Sequence, residues 1–269
     1  MSMNFSDLPS ALERGEELNA RLAGKKLAIF LDYDGTLTPI VDRPEMAILS
    51  QSARAIVREL AERCSLAIVS GRDRPDVEKL VGIDNLIYAG SHGFDIVVPG
   101  GKAIQREEGA EFAEVLEQVK ARLHAEVDGI EGSLIEPKKS SVAVHYRLVA
   151  PDRHADIQAV VDAIIAEHDT LRVTPGKMVY EIQPKLDWNK GKAVLWLLEA
   201  LDLDKPDILP MYFGDDITDE DAFRALSGRG IGIFVGGATA EAKTDRPTDA
   251  DYRVEDPDAA VRLLDTLAR

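Results

Sequence analysis

The sequence predicts an α/β fold: a doubly wound, Rossmann-like parallel sheet built from both ends of the chain, with a smaller α+β unit inserted between them. Three observations predict it. Short apolar runs at 27–31, 66–69, 86–89, 211–213 and 231–235 are interleaved with patterns of helical period. The first run stops at a carboxylate and a glycine turn, as a buried parallel strand does. Between about residues 100 and 182 the pattern changes to strands with only one apolar face.

Taken in chain order, Leu27, Ala28, Ile29, Phe30 and Leu31 form the first buried strand, ending at Asp32. A helix is predicted over 53–64, where Ile56, Val57, Leu60, Ala61 and Cys64 share one face. Strands at 66–69 and 86–89 follow. Gly100 and Gly101 then mark the start of the insertion. Inside it, Phe112, Val115, Leu116, Val119 and Leu123 predict one amphipathic helix, and Ile157, Val160, Val161, Ile164 and Ile165 a second. Residues 141–147 and 177–182 alternate polar and apolar side chains, which predicts two strands with one covered face. Lys177 and Glu181 share parity within the second of these and are expected on the same open face. A helix over 192–201 and strands at 211–213 and 231–235 complete the core. The predicted units are therefore 1–99 with 183–269, and 100–182, with hinges near 99–101 and 183–184.

Composition narrows the function. At 269 residues the chain has room for one large domain or two modest ones, and its 45% apolar and 30% charged content suits a packed core. A net charge of -16 argues against a general nucleic-acid or anionic-membrane binder, because such binding needs basic surface. An anionic substrate must meet a local positive site. The single Cys64 cannot form an internal disulfide, the first 24 residues lack the apolar core of a signal peptide, and no apolar run is long enough to span a membrane. A soluble cytoplasmic protein is the expectation. The sequence does not report an oligomeric state, and a monomer is the default.

Candidate chemistry concentrates at predicted strand ends, where open α/β sheets bind ligands. Asp32-Tyr33-Asp34-Gly35-Thr36 places two carboxylates one residue apart before a glycine turn. Such a pair needs a cation or a proton between its members, or else it is a solvated or calcium-binding turn. Ser70, with Gly71 and Arg72, either caps a helix or holds a phosphate oxygen. Lys190 in Asn189-Lys190-Gly191 is a surface lysine or a cation for a phosphoryl group. In Gly214-Asp215-Asp216, followed by Asp219, Glu220 and Asp221, Asp216, Glu220 and Asp221 suit favourable helix-start charges. Asp215, at the strand end, suits a metal.

This ordered set resembles the haloacid dehalogenase-like (HAD) phosphotransferase superfamily. The insertion lies between the Ser70 and Lys190 motifs, where that superfamily carries its larger, sheet-bearing C2-type cap. Within it the chain is similar to the trehalose-6-phosphate phosphatases, on the strings Leu31-Asp32-Tyr33-Asp34-Gly35-Thr36-Leu37, Val69-Ser70-Gly71-Arg72, Gly90-Ser91-His92-Gly93, His145-Tyr146-Arg147 and Gly214-Asp215-Asp216-Ile217-Thr218-Asp219-Glu220-Asp221. The resemblance implies a phosphatase that forms an aspartyl-phosphate on Asp32, with Asp34 as acid and then base. It implies Mg²⁺ held by Asp32, the backbone carbonyl of Asp34, and Asp215. Ser70, Lys190 and the amides from Asp34 to Thr36 would take phosphate charge, and Asp219 would orient Lys190. It further implies sugar recognition by Glu136, Lys138, Arg147, Lys177 and Glu181, with Gly71, Arg72 and His92 as further substrate contacts and His145 as a structural residue. Two rivals remain at this level. A phosphatase for sucrose phosphate or a hexose phosphate would share the core, and a signalling receiver module would share the sheet-edge Asp but has no place for the insertion.

Overall fold

The computed structural model describes residues 3–100, 102–105, 112–138, 140–236 and 247–269. Strand β1 (Lys26–Leu31) is buried over its last four residues, because helices cover both of its faces. It lies in an eight-stranded sheet with β2 (Ser65–Val69), β3 (Ile87–Gly90), β4 (Asp95–Val98), β5 (Lys102–Gln105), β10 (Ile208–Gly214), β11 (Ile231–Val235) and β12 (Tyr252–Val254). The order is β12-β11-β10-β1-β2-β3-β4-β5. Neighbours from β12 to β3 run parallel, and β4 runs antiparallel to β3.

Alternation along the strands sends side chains into two separate cores. Ile29, Leu31, Ile68, Met211 and Phe213 pack with Leu18 of α1 (Gly15–Leu22), Val57 and Leu60 of α2 (Gln51–Arg63), Val77 and Val81 of α3 (Arg74–Val81), and Leu263 and Leu264 of α8 (Pro257–Ala268). On the opposite face Ala28, Phe30, Ala67, Val69 and Tyr212 pack with Val194, Leu197 and Leu198 of α6 (Lys190–Ala200) and with Ala222, Phe223 and Leu226 of α7 (Glu220–Leu226). The doubly wound reading of the sequence is thus the observed architecture. Helix α2 starts earlier than its apolar stripe suggests because Ser50 caps it, accepting a hydrogen bond from Ala53 N at 3.1 Å.

Sheet order also locates a switch point. From β1 the chain winds outward through β2 and β3, then returns to add β10, β11 and β12 on the other side. The crevice at the carboxyl ends of β1 and β10 is where open α/β sheets bind ligands.

The chain divides into two compact units, Met1–Ile104 with Trp188–Arg269, and Gln105–Asp187. The second holds an antiparallel sheet of β6 (Leu134–Pro137), β7 (Val142–His145), β8 (Leu171–Gly176) and β9 (Val179–Pro184), in the order β6-β7-β9-β8. Ile135, Val142, Val144, Ile182 and Leu171 pack against α4 (Ala113–Val127) and α5 (His154–Glu167). Period 2 therefore turns Glu136, Ala143, His145 and Glu181 to the other face. In register, Ala143 pairs with Glu136 on one side and with Glu181 on the other.

Two expectations fail here. Residues 177–182 are not one strand: Gly176 pairs with Val179, leaving Lys177 and Met178 as a hairpin turn, with Met178 at a φ of 63°. Lys177 does not share a strand face with Glu181, because the chain reverses between β8 and β9, and the turn was not marked by glycine or asparagine at its centre. Gln183 and Pro184, expected at a hinge, close β9 by pairing with Arg172 and Leu171. Gly101, in the other expected hinge, lies outside the described residues. Among the described residues no helix is long and apolar enough to cross a membrane.

Candidate active site

The Asp32 amide donates to the Phe213 carbonyl at 2.9 Å, which ties the end of β1 to the end of β10. The chain then turns at once: Gly35 N donates to Thr38 O at 2.7 Å, with Gly35 at a φ of 81°. A side chain at Gly35 would place its Cβ 1.9 Å from Asp215 Oδ2, so only glycine lets the Asp215 carboxylate rest against this turn. Thr36, fully buried, points its hydroxyl at Asp215 Oδ1 at 3.4 Å.

Lys190, the first residue of α6, sends its ammonium between Asp32 at 2.9 Å and Asp219 at 2.8 Å. Asn189 caps this helix by accepting from Lys192 N at 2.9 Å, which fixes where Lys190 emerges. Burial by itself would lower the Lys190 pKa; Asp219 and Asp32 reverse that, and it is raised. Burial, reinforced by Asp219, Asp215 and Asp34 and opposed by Lys190, pushes the Asp32 carboxyl well above the usual range. Asp219 moves the other way: burial works against its charge, but Lys190 and the hydrogen bonds from Lys190, Tyr212 and Asp216 hold it below that range.

Oxygens of Asp32, Asp215 and Asp219 lie within 4.8 Å of one another, and the Lys190 ammonium touches Asp32 and Asp219, so three buried carboxyl groups crowd one small site. A divalent cation would offset their negative charge, and an all-oxygen donor set suits magnesium, calcium or manganese. Of the three, Asp219 is already occupied. Its Oδ1 accepts from Lys190 and from Tyr212 OH at 2.6 Å, and its Oδ2 from the amides of Asp215 at 3.0 Å and Asp216 at 2.9 Å. Asp32 meets Lys190 and Asp215 accepts from Thr36 Oγ1, and both carboxyl groups belong to the cluster that could hold a cation.

The Asp34 carboxylate stands apart from this set. Arg72 grips it, Nε to Oδ2 and Nη2 to Oδ1, each at 2.7 Å. Arg72, expected to contact substrate, is buried and has its guanidinium on Asp34. Ser70 is buried at the end of β2, and its hydroxyl accepts from Arg72 N at 3.1 Å. His92 donates its amide to Ser70 O at 2.9 Å. Its ring lies where a Cβ on Gly71 would come within 2.9 Å, which is why Gly71 has none.

A family sequence model for trehalose-phosphatase matches residues 30–258. The trehalose-phosphate phosphatase of Mycobacterium avium (strain 104) is 42% identical over 98% of this chain and 68% of its own length. The chain belongs to the trehalose-phosphatase family. The C-terminal domain of Candida albicans trehalose-6-phosphate phosphatase is similar in structure, with a TM-score of 0.80, 28% identity and coverage of 97% of this chain and 98% of that one. A haloacid dehalogenase-like hydrolase from Bacteroides thetaiotaomicron matches at a TM-score of 0.63 over 90% of this chain and 99% of that one; at 15% identity it speaks to the fold alone, which is HAD-like. Asp32, Asp34, Thr36, Ser70, Gly71, Arg72, His92, Lys190, Asp215 and Asp219 of this chain all fall inside the matched span and belong to the larger unit.

The smaller unit carries its own charged groups. Glu181 accepts from Ser141 Oγ at 2.6 Å and faces Lys138 Nζ at 3.3 Å, with both charged side chains about a tenth exposed. Glu136 meets His145 Nε2 at 2.7 Å. Arg147 lies beyond the end of β7 and donates to the Lys177 carbonyl at 2.8 Å, which fastens the hairpin turn, while the Lys177 side chain is exposed. Sequence reasoning missed Tyr212, Ser141 and Asp76, and gave His145 a structural part only. A Ser or Tyr announces nothing locally. For His145, the signal was its parity with Ala143, which register places beside Glu136.

Proposed function

We propose that this chain hydrolyses trehalose 6-phosphate to trehalose and phosphate through an aspartyl-phosphate on Asp32. The observation that carries the reading is the meeting of Asp32, Lys190, Asp215 and Asp219 at the switch point of a HAD-like sheet in a member of the trehalose-phosphatase family. An oxygen of Asp32 forms a bond to phosphorus as the bond to the sugar oxygen breaks, and that oxygen takes a proton from Asp34. Water then attacks phosphorus and yields its proton to Asp34. The bond to Asp32 breaks, the electron pair returns to the carboxylate, and phosphate leaves. Lys190 holds Asp32 in place and counters charge on the transferring group, while Ser70 and the backbone amides of the turn after Asp32 receive phosphate oxygens.

Mg²⁺ is the cation assigned to Asp32, Asp215 and the backbone carbonyl of Asp34. When bound it would neutralise negative charge on the carboxylates and the phosphoryl group. The polar sheet face of the smaller unit is assigned to sugar recognition, through Glu136, Lys138 and Glu181, with Arg147 and Lys177 at its rim. Charged groups of this kind make several strong hydrogen bonds to a ligand rich in hydroxyls. We assign this unit as the specificity cap and the chain to the cytoplasm.

Phosphate release from trehalose 6-phosphate, sucrose 6-phosphate and glucose 6-phosphate, measured side by side with magnesium, tests the reading. Preference for the first is expected; equal rates on all three, or preference for another, would reassign the substrate.

A further inference from the structure

We infer that Arg72 is a positioning residue that fixes the Asp34 carboxylate for both proton transfers and does not itself hold the phosphoryl group. The inference deepens the phosphatase reading above and rests on it.

Arg72 is set into the protein on every side. Nε and Nη2 form the two-pronged bond to Asp34, Nη1 donates to Asp76 Oδ2 at 2.8 Å, and Nη2 also donates to Pro44 O at 2.8 Å. The guanidinium carbon sits 5.6 Å from the centre of the Tyr33 ring, and the Tyr33 hydroxyl is anchored on Ala47 O at 2.6 Å. Four hydrogen bonds thus occupy a group that has five N–H donors, and the residue is only 6% exposed. To give a phosphate more than the second N–H of Nη1, Arg72 would have to break the fork on Asp34 or its ties to Asp76 and Pro44. As it stands, it does something else.

What the fork does is orient. The Asp34 side chain is 35% exposed, and without a partner its carboxylate could turn freely in solvent. Two parallel bonds of equal length fix both the plane and the position of the carboxylate, which a single point charge could not do. An acid-base group misplaced by about 1 Å can cost on the order of 10²-fold in rate. Arg72 also couples the site internally: its amide donates to the Ser70 hydroxyl, so one residue sets the backbone beside the phosphate-holding serine and the side chain of the acid.

The test is a double-mutant cycle with R72K, D34N and the pair combined, assayed on trehalose 6-phosphate and p-nitrophenyl phosphate with magnesium present. R72K keeps the charge and removes the fork. On the sugar phosphate it should lower kcat by roughly 10- to 100-fold while KM moves by less than about threefold, the signature of lost transition-state positioning. In the D34N background R72K should cost less than about twofold, since a residue acting only through Asp34 has nothing further to lose. The single-turnover release of p-nitrophenol, a leaving group that departs without a proton, should be nearly unchanged by R72K. An R72K enzyme with normal kcat, additive losses in the pair, or a KM that rises on both substrates would overturn the assignment. If R72K does not fold by thermal melt, the same cycle is run with D76N, which loosens Arg72 from behind; a normal kcat or additive losses there overturn it equally. A wild-type chain inactive on trehalose 6-phosphate would sink the proposed function along with it, whereas an active one with additive losses sinks only the role given to Arg72.

Discussion

At the carboxyl edge of the eight-stranded sheet, Lys190 touches Asp32 and Asp219 with none of the three side chains more than 7% exposed. On the polar face of the four-stranded sheet, Glu136 and His145 meet at a similar distance with about a quarter of each side chain in solvent. The first cluster is assembled from strand and helix ends far apart in the chain, and every member depends on the others for its charge to be tolerable in a buried place. The second is made of neighbours on one sheet face, where Glu136 and His145 stand partly in water while Lys138 and Glu181 are about nine-tenths buried. Buried clusters should fail as a unit and for every substrate; open-face pairs should fail by degrees and only for ligands that touch them.

The largest effect should come from Asp32→Asn, which removes the nucleophile. Phosphate release should vanish for sugar and aryl phosphates alike, and residual steady-state turnover on either would break the covalent reading. Excess chelator should act as broadly, since it leaves Asp32 and Asp215 without the proposed cation; rates that survive it on any substrate would end the metal role of Asp215. Lys190→Met should cost roughly 3–5 kcal/mol of stability, because it strands buried carboxylates without their partner. Urea unfolding reads this directly, and a loss under about 1 kcal/mol would mean the cluster is looser than its burial implies.

Glu181→Ala should sharpen the contrast. Loss of hydrogen bonds to a charged group is worth about 1.5–3 kcal/mol, or about 10- to 150-fold in kcat/KM for trehalose 6-phosphate. A small aryl phosphate should be almost unaffected, and equal losses on both would show that this face does not read sugar. His145→Ala is the mildest change, expected to cost about 2- to 10-fold in kcat/KM on the sugar substrate through a less well held Glu136. His145→Gln should restore part of it, and a Gln variant no better than Ala would separate His145 from Glu136.

Much of the core was legible in the sequence. The apolar runs at β1, β2, β10 and β11, the helical stripe of α2 and the turn residues after Asp32 are local signals, because backbone periodicity and glycine geometry act over a few residues. The hairpin at Lys177 and Met178 escaped, since the pattern continued through it and only strand pairing reveals the reversal.

Chain order alone determined which chemical groups stand at the strand ends: Asp32, Ser70, Lys190 and Asp215 follow apolar runs or open a helix, and each could be named on that basis. Tertiary structure decided which group holds which. Arg72 closes on Asp34 from 38 residues away, Lys190 on Asp219 from 29, and Ser141 on Glu181 from 40. Such pairings exist only after the sheet order has brought separate strand ends to one edge, where burial makes each charge seek the nearest partner of opposite sign; no local period along the chain encodes that distance.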